Sequence, residues 1–410
     1  MSESEIFFLD SEKSVSYKTL LADLNSAKSF SLYLKTDSIY DCFLQILIAT
    51  LSEKEIVLLD SDFTESEIES LTNLQNGEYS EMKIARSYDD LKSVDELVLR
   101  LDNIKNAKIT FFTSGTTGRP KKVSHTLQSI TRFTKRKSQH SLDIWGFAYN
   151  PTHIAGVQVF FQALLNKNKI VRLFGLSIDE IFGVIEKEKI THISATPTFY
   201  RMLIWQNVSF DFVKRITSGG EKFDKKTSTL LAKIFPNAKI TNVYASTEVG
   251  TLFASQDDVF VVRDEVKNLV KIVDNELLLH ESLLGQTADL SLMGQWYRSG
   301  DLVEVVAENP LSIKFVARQG EMINVGGYKV NPSEVEDAIL SLTPVSQVRV
   351  FGKKNSVLGN VICAEVVAKS LDEKSIRDYL KTRLQEFKIP RIIKFVEDIK
   401  LTRTGKTSRK

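Results

Sequence analysis

Short apolar strands alternate with helical segments along this chain, and the alternation limits the folds that it can adopt. Strand-like runs cover residues 55–60, 169–174 and the start of 191–197, and helical patterns cover residues 41–51 and 178–188. Such alternation is typical of a mainly parallel sheet whose faces are covered by helices. Ligands of such sheets bind at the carboxyl ends of the strands. We therefore predict an α/β fold with its functional loops at one edge of the sheet.

One strand end carries an unusual loop. Residues 109–122 read I-T-F-F-T-S-G-T-T-G-R-P-K-K, a short apolar strand followed by glycine, hydroxyl groups and lysine. Glycine lets backbone N–H groups approach an anion, while hydroxyl groups add donors and lysine adds charge. The nucleotide P-loop has lysine directly after its second glycine, whereas Arg119 and Pro120 follow Gly118 here. The pattern predicts a phosphate-binding loop of another type; a polar turn between two strands is the alternative for the loop taken alone.

The composition excludes several functional classes. The chain has 410 residues, of which 42% are hydrophobic and 26% are charged, as in ordinary globular proteins. Its formal net charge of +2 gives no indication of a nucleic-acid or membrane-surface partner. The longest apolar run, residues 42–51, contains Gln45 and is too short to span a bilayer. With two distant cysteines, Cys42 and Cys363, and no basic leader at the N-terminus, we predict a cytoplasmic globular protein.

Three further segments place a carboxylate beside glycine or hydroxyl groups. They read R-I-T-S-G-G-E at residues 215–221, N-V-Y-A-S-T-E-V-G at residues 242–250 and Y-R-S-G-D at residues 297–301. Each of them, taken singly, is consistent with an ordinary turn at the end of a strand. The C-terminal tail adds T-R-T-G-K-T-S-R-K, in which Lys406 follows a glycine. Together with the loop at residues 109–122, these segments form an ordered set.

In this order, the motifs S-G-T-T-G-R-P-K, G-G-E, Y-A-S-T-E, Y-R-S-G-D and G-K-T-S-R resemble those of the adenylate-forming superfamily. This superfamily contains acyl- and aryl-CoA ligases, adenylation domains of peptide synthetases, and luciferases. The chain resembles a compact member whose N-terminal region is shortened by internal deletions. The resemblance implies a large N-terminal domain of mainly parallel, helix-covered sheets at residues 1–317. It also implies a small, mobile α+β C-terminal domain at residues 318–410, with Gly320 at the hinge.

The resemblance also implies roles for individual residues. It assigns catalysis to Lys406, Thr247 and Glu248, the last of which would hold Mg²⁺. Asp301 would accept hydrogen bonds from the ribose hydroxyls with help from Arg318. The other implied nucleotide contacts are Thr113, Ser114, Gly115, Thr116, Thr117, Gly118, Lys121, Gly219, Gly220, Glu221, Ala245 and the ring of Tyr244. The implied contacts to the acid or the thiol are His153, Gly156, Gly326, Gly327 and Tyr328.

Two further expectations concern the acid and its surroundings. Residues 149–158 contain no acidic side chain that could pair with an α-amine, and apolar residues surround His153. An aryl or medium-length acyl acid without an α-amino group is therefore favoured over an amino acid. Residues 126–138 are interpreted as a solvated helix face that carries the basic side chains Arg132, Lys135, Arg136 and Lys137.

Together the motifs predict an ATP-dependent, AMP-forming carboxylate–thiol ligase. The enzyme would convert a small carboxylic acid into acyl-AMP and then transfer the acyl group to a thiol, with CoA as the leading acceptor. A close alternative is a stand-alone adenylation enzyme that loads the phosphopantetheine of an acyl carrier protein. A non-catalytic sensor of nucleotide or acyl-AMP is the alternative of another class. The expected cofactors are ATP, Mg²⁺ and CoA or carrier-protein phosphopantetheine; neither a nucleic-acid partner nor a membrane span is expected.

Overall fold

A computed structural model describes residues 5–75, 77–113, 121–204, 206–287, 292–325, 328–343, 345–355 and 359–400 of the chain. Its helices are α1 (Tyr17–Ser26), α2 (Ile39–Leu51), α3 (Glu65–Thr72), α4 (Val94–Asn103), α5 (Leu127–Thr131), α6 (Ile154–Leu164), α7 (Ile178–Glu188), α8 (Pro197–Leu203), α9 (Lys225–Ile234), α10 (Pro332–Leu340) and α11 (Glu373–Lys381). Its strands are β1 (Ile6–Leu9), β2 (Ser14–Ser16), β3 (Ser29–Ser31), β4 (Tyr33–Lys35), β5 (Glu55–Leu59), β6 (Lys83–Ala85), β7 (Lys108–Thr113), β8 (Lys121–Thr126), β9 (Ile144–Phe147), β10 (Lys169–Arg172), β11 (His192–Ala195), β12 (Arg215–Gly219), β13 (Lys239–Ser246), β14 (Gly250–Ser255), β15 (Val259–Val261), β16 (Val270–Val273), β17 (Glu276–His280), β18 (Leu292–Met293), β19 (Trp296–Glu308), β20 (Leu311–Arg318), β21 (Ile323–Val325), β22 (Tyr328–Val330), β23 (Val345–Asn355), β24 (Gly359–Ala368) and β25 (Ile392–Phe395). In these ranges, no helix has the length and apolar character that crossing a membrane requires.

The largest sheet has eight strands in the order β14-β13-β12-β11-β9-β10-β1-β2. The strands from β13 to β1 are parallel, while β14 and β2 pair antiparallel at the two edges. A parallel pair needs a crossover connection, and helices α6, α7, α8 and α9 supply the crossovers between β9 and β13. The predicted alternation of strands and helices is therefore confirmed. The parallel order brings the carboxyl ends of β9, β11, β12 and β13 to one edge of the sheet.

Local sequence decides where the helices begin. The spacing Thr-x-x-Glu at residues 64–67 predicts a capping box. The structure has it at the start of helix α3, because the Thr64 side chain accepts from the N–H of Glu67 while the Glu67 carboxylate accepts from the N–H of Thr64. Thr196 caps helix α8, and Pro197 occupies its first turn, where a missing N–H costs no hydrogen bond. The run T-H-I-S-A-T-P at residues 191–197 predicts a strand and a turn before a helix that begins near Phe199. The helix begins two residues earlier, because proline at the first helical position already has helical φ.

Helices α2 and α6 pack together through aromatic rings. The rings of Phe43 on α2 and Phe160 on α6 stack with their centroids 4.3 Å apart and their planes 10° apart. Phe147 of β9 meets the Phe43 ring edge-on at a centroid distance of 5.1 Å. All three side chains are fully buried. This aromatic cluster fixes α6 over the parallel sheet.

A second large sheet is antiparallel throughout, with the order β15-β20-β19-β17-β16 and with β18 beside β19. The prediction of a turn at residues 297–301 is wrong. These residues lie inside β19 and pair with β17 and β20. Gly300 has a φ of 75°, a backbone conformation that glycine adopts without strain. The register between β17 and β19 also shifts there. The local bend is therefore a bulge within a continuous strand.

A third sheet is mixed and has the order β4-β5-β7-β8. Strands β7 and β8 form an antiparallel pair that ends with Thr113 opposite Lys121. The apolar strand predicted before the phosphate loop is thus confirmed as β7. The loop itself, residues 114–120, lies outside the described residues. The hairpin brings the two ends of the loop together.

The C-terminal part of the chain has a hydrophobic cluster of its own, formed by residues between Ile323 and Ile393. Strands β23, β24 and β25 form its sheet, and helices α10 and α11 pack on it. Two strand-like runs at residues 345–367 flank K-K-N-S-V-L-G-N and predict either a hairpin or strands joined by a loop. In the structure the two runs form the antiparallel strands β23 and β24. The run P-S-E-V-E at residues 332–336 predicts the start of a helix, with proline in the first turn and carboxylates at its positive end. Helix α10 begins at Pro332, and Asn331 caps it.

Helix α9 of the first sheet contacts this C-terminal part. Lys226 Nζ lies 2.5 Å from the carbonyl oxygen of Leu340 and 2.9 Å from that of Leu342, which satisfies carbonyls at the end of α10. The Lys222 ammonium also pairs with the Asp337 carboxylate. The domain boundary after residue 317 falls inside strand β20 and stays a prediction.

Residues 126–138 form the predicted solvated helix face only in part, because the basic side chains of Lys135, Arg136 and Lys137 are exposed but lie outside the helix. Helix α5 covers only Leu127–Thr131. The chain then turns so that the N–H and the carbonyl of Lys135 both bond to the Gln162 side chain of α6, at 3.0 Å each. The Arg132 guanidinium donates to the carbonyl of Leu283 at 3.2 Å. The helix was predicted too long because these contacts with distant residues end it early, while the side chain of Lys135 stays exposed.

Candidate active site

An acidic side chain of the antiparallel sheet meets an aromatic ring of the parallel sheet. The hydroxyl group of Tyr244, near the end of β13, donates to Asp301 Oδ2 at 2.6 Å. Arg318 Nε lies 3.7 Å from Asp301 Oδ1, and the two residues are register partners on β19 and β20. The structure thus brings together three of the residues that the motifs assigned to the nucleotide.

The Tyr244 ring is held in one orientation. It stacks on Phe315 with the centroids 4.2 Å apart and the planes 10° apart, and it packs beside Phe253 at 5.7 Å. Burial raises the pKa of Tyr244 well above its ordinary value and also raises the pKa of Asp301. The tyrosine hydroxyl therefore remains a hydrogen-bond donor to the carboxylate. Phe315 covers one face of the ring.

The turn after β13 is held through its backbone. His125 Nε2 lies 2.7 Å from the carbonyl oxygen of Thr247, and the N–H of Gly285 donates to the carbonyl of Glu248 at 2.7 Å. Burial lowers the pKa of His125, so its ring is neutral and donates from Nε2 to the carbonyl. His125 Nδ1 lies 2.9 Å from Ser129 Oγ. Because the backbone carries these contacts, the half-buried Glu248 side chain is left for another partner.

The close approach at Gly285 provides a stability prediction. A β-carbon at Gly285 would lie 2.6 Å from His125 Nε2 and 2.7 Å from Val123 Cγ1. Gly285→Ala should therefore lower the free energy of unfolding by about 1–3 kcal/mol through overpacking. Urea unfolding measures the change. The matched control is Gly183→Ala on the exposed side of helix α7, where a β-carbon meets nothing within 4 Å; it should raise stability by about 0.5–1 kcal/mol. Equal effects of both substitutions would contradict the close packing at Gly285.

Two glycines shape the end of β12. A β-carbon at Gly219 would lie 2.4 Å from Val243 Cγ2, and Gly220 has a φ of 88°. Both positions therefore require glycine. The following Glu221 bonds to the start of helix α8, because the N–H and hydroxyl of Thr198 donate to Glu221 Oε2 at 3.2 and 2.7 Å. The positive end of the helix favours this carboxylate, which fixes the turn.

A cavity of about 230 Å³ lies between the parallel sheet and helix α6. Alternate residues of three neighbouring strands face it, as the two-residue period of a strand requires. These residues are His192, Ser194 and Thr196 on and after β11, Arg215, Thr217 and Gly219 on β12, and Thr241, Val243 and Ala245 on β13. Helix α6 and the residue before it contribute His153, Ile154, Ala155, Gln158, Val159 and Gln162.

The two ends of this cavity differ in chemistry. The end at the carboxyl termini of the strands is lined by Gly220, Ser246 and Thr247, next to the Tyr244–Asp301 pair. The end at the amino termini of the same strands has imidazole, indole and basic groups from His140, Trp145, His192, Lys135, Arg215 and Arg263. The cavity therefore connects the nucleotide motifs with a basic region on the opposite edge of the sheet.

A histidine–aspartate group lies at the second end. Asp143 Oδ2 is 2.9 Å from His140 Nδ1 and 3.4 Å from His192 Nε2. Each of the three side chains offers one atom that could bind a metal ion, and these three atoms lie within 4.8 Å of one another. That spacing would also suit a metal ion. Burial lowers the pKa of His192 to about 4, so this ring is neutral near pH 7. A hydrogen bond between its Nδ1 and Thr191 Oγ1, at 2.9 Å, and the contact of its Nε2 with Asp143 orient it.

The residues assigned to the acid or the thiol lie in different places. His153 lines the cavity, and its Nδ1 caps helix α6. Gly156 is required for packing, because a β-carbon there would lie 2.5 Å from the carbonyl oxygen of Asn150. Tyr328 is 60% exposed and stacks on Phe387 with a centroid distance of 4.6 Å. Among the members of this set that the structure describes, His153 alone lines the cavity.

Part of the predicted site lies outside the described residues. Thr113 and Lys121, at the two ends of the phosphate loop, are register partners on β7 and β8. Their roles and those of the remaining residues stay predictions. The predicted residues outside the described ranges are Ser114, Gly115, Thr116, Thr117, Gly118, Gly326, Gly327 and Lys406.

Sequence reasoning missed several contributors to this region. No local pattern marked His125 or Phe315, which contact Thr247 and Tyr244 only after folding. A signal for Arg215 was present, because it shares one face of a short strand with Gly219 of the recognised G-G-E motif. Two-residue periodicity would have placed the arginine on the side of the sheet that holds the cavity.

Two family models match this chain. The model described as AMP-binding enzyme matches residues 40–276. The model described as AMP-binding enzyme C-terminal domain matches residues 334–406. The two matches have the order that the motifs predicted.

Curated relatives of this chain include a synthase and two CoA ligases. Bacitracin synthase 3 of Bacillus licheniformis is 25% identical over 345 residues, which is 73% of this chain and 5% of that protein. The long-chain-fatty-acid–CoA ligase FadD13 of Mycobacterium tuberculosis is 27% identical over 337 residues, which is 72% of this chain and 65% of that protein. The chain spans less than two thirds of both. The 2-succinylbenzoate–CoA ligase of Listeria innocua is 26% identical over 349 residues, which is 79% of this chain and 74% of that protein.

Solved structures share the fold. ATP-bound MatB from Rhodopseudomonas palustris has a TM-score of 0.74 at 15% identity, over 99% of this chain and 94% of that chain. The o-succinylbenzoate CoA synthetase (MenE) of Bacillus subtilis, in complex with an acyl-adenylate, has a TM-score of 0.71 at 18% identity, over 98% of this chain and 94% of that chain. The predicted fold class is confirmed. Because the family model covers more than half of its length, the chain belongs to the AMP-binding enzyme family, as its ordered motifs predicted.

Proposed function

We propose that this protein is an ATP-dependent, AMP-forming ligase that joins a carboxylic acid to a thiol, with CoA as the acceptor. The observation that carries the proposal is the meeting of Tyr244, Asp301 and Arg318 beside the Thr247–Glu248 turn at one end of a cavity. The named CoA ligases among the relatives support the choice of reaction.

The reaction sets the requirements of the site. A carboxylate is a poor electrophile, so its oxygen first attacks the α-phosphorus of ATP, and the bond to pyrophosphate breaks. The thiol sulfur then attacks the carbonyl carbon of acyl-AMP, loses its proton, and AMP leaves. Negative charge must therefore be stabilised on the departing pyrophosphate. Lys121, which begins β8, and the loop before it are the groups that we assign to this task.

The described residues suit a nucleotide in several respects. Asp301 accepts a hydrogen bond from Tyr244, yet a carboxylate has about four lone-pair sites, so acceptor capacity remains for ribose hydroxyls. Phe315 covers one face of the Tyr244 ring, and we assign the other face to the adenine. The Thr247 hydroxyl would donate to the α-phosphate, from a residue whose carbonyl His125 holds in place.

The same end of the cavity fits Mg²⁺. Within the part of the chain that the structure describes, the Glu248 carboxylate has neither a hydrogen bond nor an ion pair, and it lies near enough to Asp301 to raise that residue's pKa. Carboxylate oxygens are ligands that Mg²⁺ prefers. Glu248 would hold the ion, which supplies positive charge to phosphate oxygens when it is bound.

The acceptor thiol has two candidates. The relatives include CoA ligases and also peptide-synthetase proteins, namely bacitracin synthase 3 and surfactin synthase subunit 2. A carrier-protein phosphopantetheine is therefore the second candidate acceptor. Tyr328 is exposed, and we assign it, with Gly326 and Gly327, to the path of the thiol.

A panel of carboxylic acids in an ATP–pyrophosphate exchange assay tests the proposal. At least one acid without an α-amino group should support exchange. With that acid, free CoA and a holo acyl carrier protein are then compared as acceptors, and CoA should give the faster product formation. Failure of every acid to support exchange, while ATP still binds, would contradict the ligase and favour a nucleotide sensor.

Asp301→Asn should weaken the use of ATP. The amide oxygen can still accept from Tyr244, but the negative charge that strengthens hydrogen bonds from ribose hydroxyls is lost. We expect kcat/KM for ATP to fall by about 10- to 100-fold, mainly through KM. Steady-state exchange kinetics measure this. Asp257→Asn, on an exposed turn, is the control and should leave kcat/KM for ATP unchanged. An unchanged KM for ATP in Asp301→Asn would exclude the ribose assignment.

A further inference from the structure

Three basic side chains line the cavity at the end opposite the Tyr244–Asp301 pair. Arg215 begins β12, Lys135 follows helix α5 and Arg263 follows β15. We call these three residues the basic cluster. All three line the same cavity, where Arg215 is half-buried and the other two are exposed. Burial and the positive charges of Arg215 and Arg263 lower the pKa of Lys135. Among the described residues, none of the three has an ion-paired carboxylate.

The surroundings leave the charge of the basic cluster uncompensated. The buried carboxylate of Asp143, beside the cavity residues His140 and His192, already contacts both of these imidazoles. Arg263 packs over the Phe133 ring at 5.3 Å, which orients its guanidinium without neutralising it. Like charges that lie together raise the free energy of the site, and a bound anion would remove that cost. The arginine fork suits a carboxylate, which it binds through two parallel hydrogen bonds.

The distance between the two ends sets the size of a ligand. Arg215 and Gly219 are the first and last residues of β12 and share one face. Four steps along a strand correspond to roughly 13 Å. The wall between them combines hydroxyl and apolar side chains, with Thr217 and Val243 as examples. An elongated acid whose reacting carboxylate lies at the Gly219 end would place its far end against the basic cluster.

We propose that the basic cluster binds a second carboxylate, so that the substrate is a dicarboxylic acid activated at one end only. A linear acid of roughly six to ten carbons would span the cavity. The proposal rests on the proposed function, because it takes this cavity as the acid pocket. It goes further by naming the substrate class and the residues, Lys135, Arg215 and Arg263, that select it.

Matched pairs of acids test the proposal in the exchange assay. Suberic acid is compared with octanoic acid, and adipic acid with hexanoic acid. The unmodified protein should use the diacid with a kcat/KM at least about 10-fold higher than that of its partner. Arg215→Met keeps an apolar stem but removes the guanidinium; it should lower kcat/KM for suberic acid by about 10- to 100-fold and leave octanoic acid within about threefold.

Two further variants test whether the effect depends on where the removed positive charge lies. Arg263→Met changes an exposed residue of the basic cluster, so folding is not at risk; a loss of about 3- to 10-fold with suberic acid is expected. Lys233→Met removes an equal charge from the exposed surface of helix α9 and should change neither acid. Equal use of diacids and monoacids, or equal effects of Arg215→Met on both, would overturn the proposal.

Direct binding distinguishes failure of this inference from failure of the ligase reaction. Calorimetric titration with suberic acid and octanoic acid needs no turnover. If no acid supports exchange but suberic acid binds, and Arg215→Met abolishes that binding, the subsite stands and the ligase reaction does not. If an acid supports exchange but Arg215→Met impairs only the CoA-dependent step, the basic cluster binds a phosphate of CoA, and the dicarboxylate proposal is refuted.

Discussion

Replacing Lys406 by alanine should reduce acid-dependent ATP–pyrophosphate exchange by about 100- to 1000-fold. The acyl-AMP-forming step brings the acid carboxylate against the negatively charged α-phosphate. A lysine ammonium placed between them would offset this repulsion most strongly in the transition state. The G-K-T-S-R motif assigns that position to Lys406. Because the effect acts on the chemical step, kcat should fall while KM for ATP changes little.

The design of this experiment separates catalysis from folding. Lys400→Ala, at an exposed position shortly before the motif, removes the same charge and should retain full exchange. Thiolysis of synthetic acyl-AMP by CoA should also be retained in Lys406→Ala, because that step forms no bond to the α-phosphorus. If exchange by Lys406→Ala stayed within about twofold of the unmodified protein, the lysine would not have the assigned role.

The second large effect concerns stability. Phe160→Ala should lower the free energy of unfolding by about 3–5 kcal/mol, because it removes a fully buried ring that stacks on Phe43 at 4.3 Å. The same ring also contacts Phe161 at a centroid distance of 4.8 Å. Urea unfolding followed by tryptophan fluorescence measures the loss, and the buried Trp145 of β9 reports on the same sheet.

Two further substitutions test whether the loss of stability comes from the buried volume of the Phe160 ring. Phe160→Leu keeps most of the buried volume and should cost less than the alanine variant. Leu142→Ala changes a side chain that is 81% exposed and should stay within about 0.5 kcal/mol of the unmodified protein. A loss below about 1 kcal/mol for Phe160→Ala would show that the aromatic cluster does not hold helix α6 on the sheet. In that case the wall of the cavity would also be less rigid than its packing indicates.

Local patterns accounted for much of the fold. The Thr64–Glu67 spacing predicted a capping box, and the apolar run before the phosphate loop predicted β7, because both signals act within a few residues. Patterns failed where distant contacts decided the structure. The basic segment at residues 126–138 was predicted to be helical, yet Gln162 of helix α6 binds the backbone of Lys135 and the helix ends at Thr131. The Ser-Gly pair before Asp301 looked like a turn but forms a bulge inside β19.

The sequence by itself determined the family, the order of the motifs and the alternation that produces a parallel sheet, because each depends on residue identity or short spacing. Only the tertiary structure decided which of these residues meet. Tyr244 and Asp301 are 57 positions apart and belong to different sheets, while His125 reaches the carbonyl of Thr247 across 122 positions. The packing of helix α6 over the parallel strands also decided that Arg215 and Lys135 share one cavity. Such contacts arise from the packing of whole elements, which no local pattern of residues encodes.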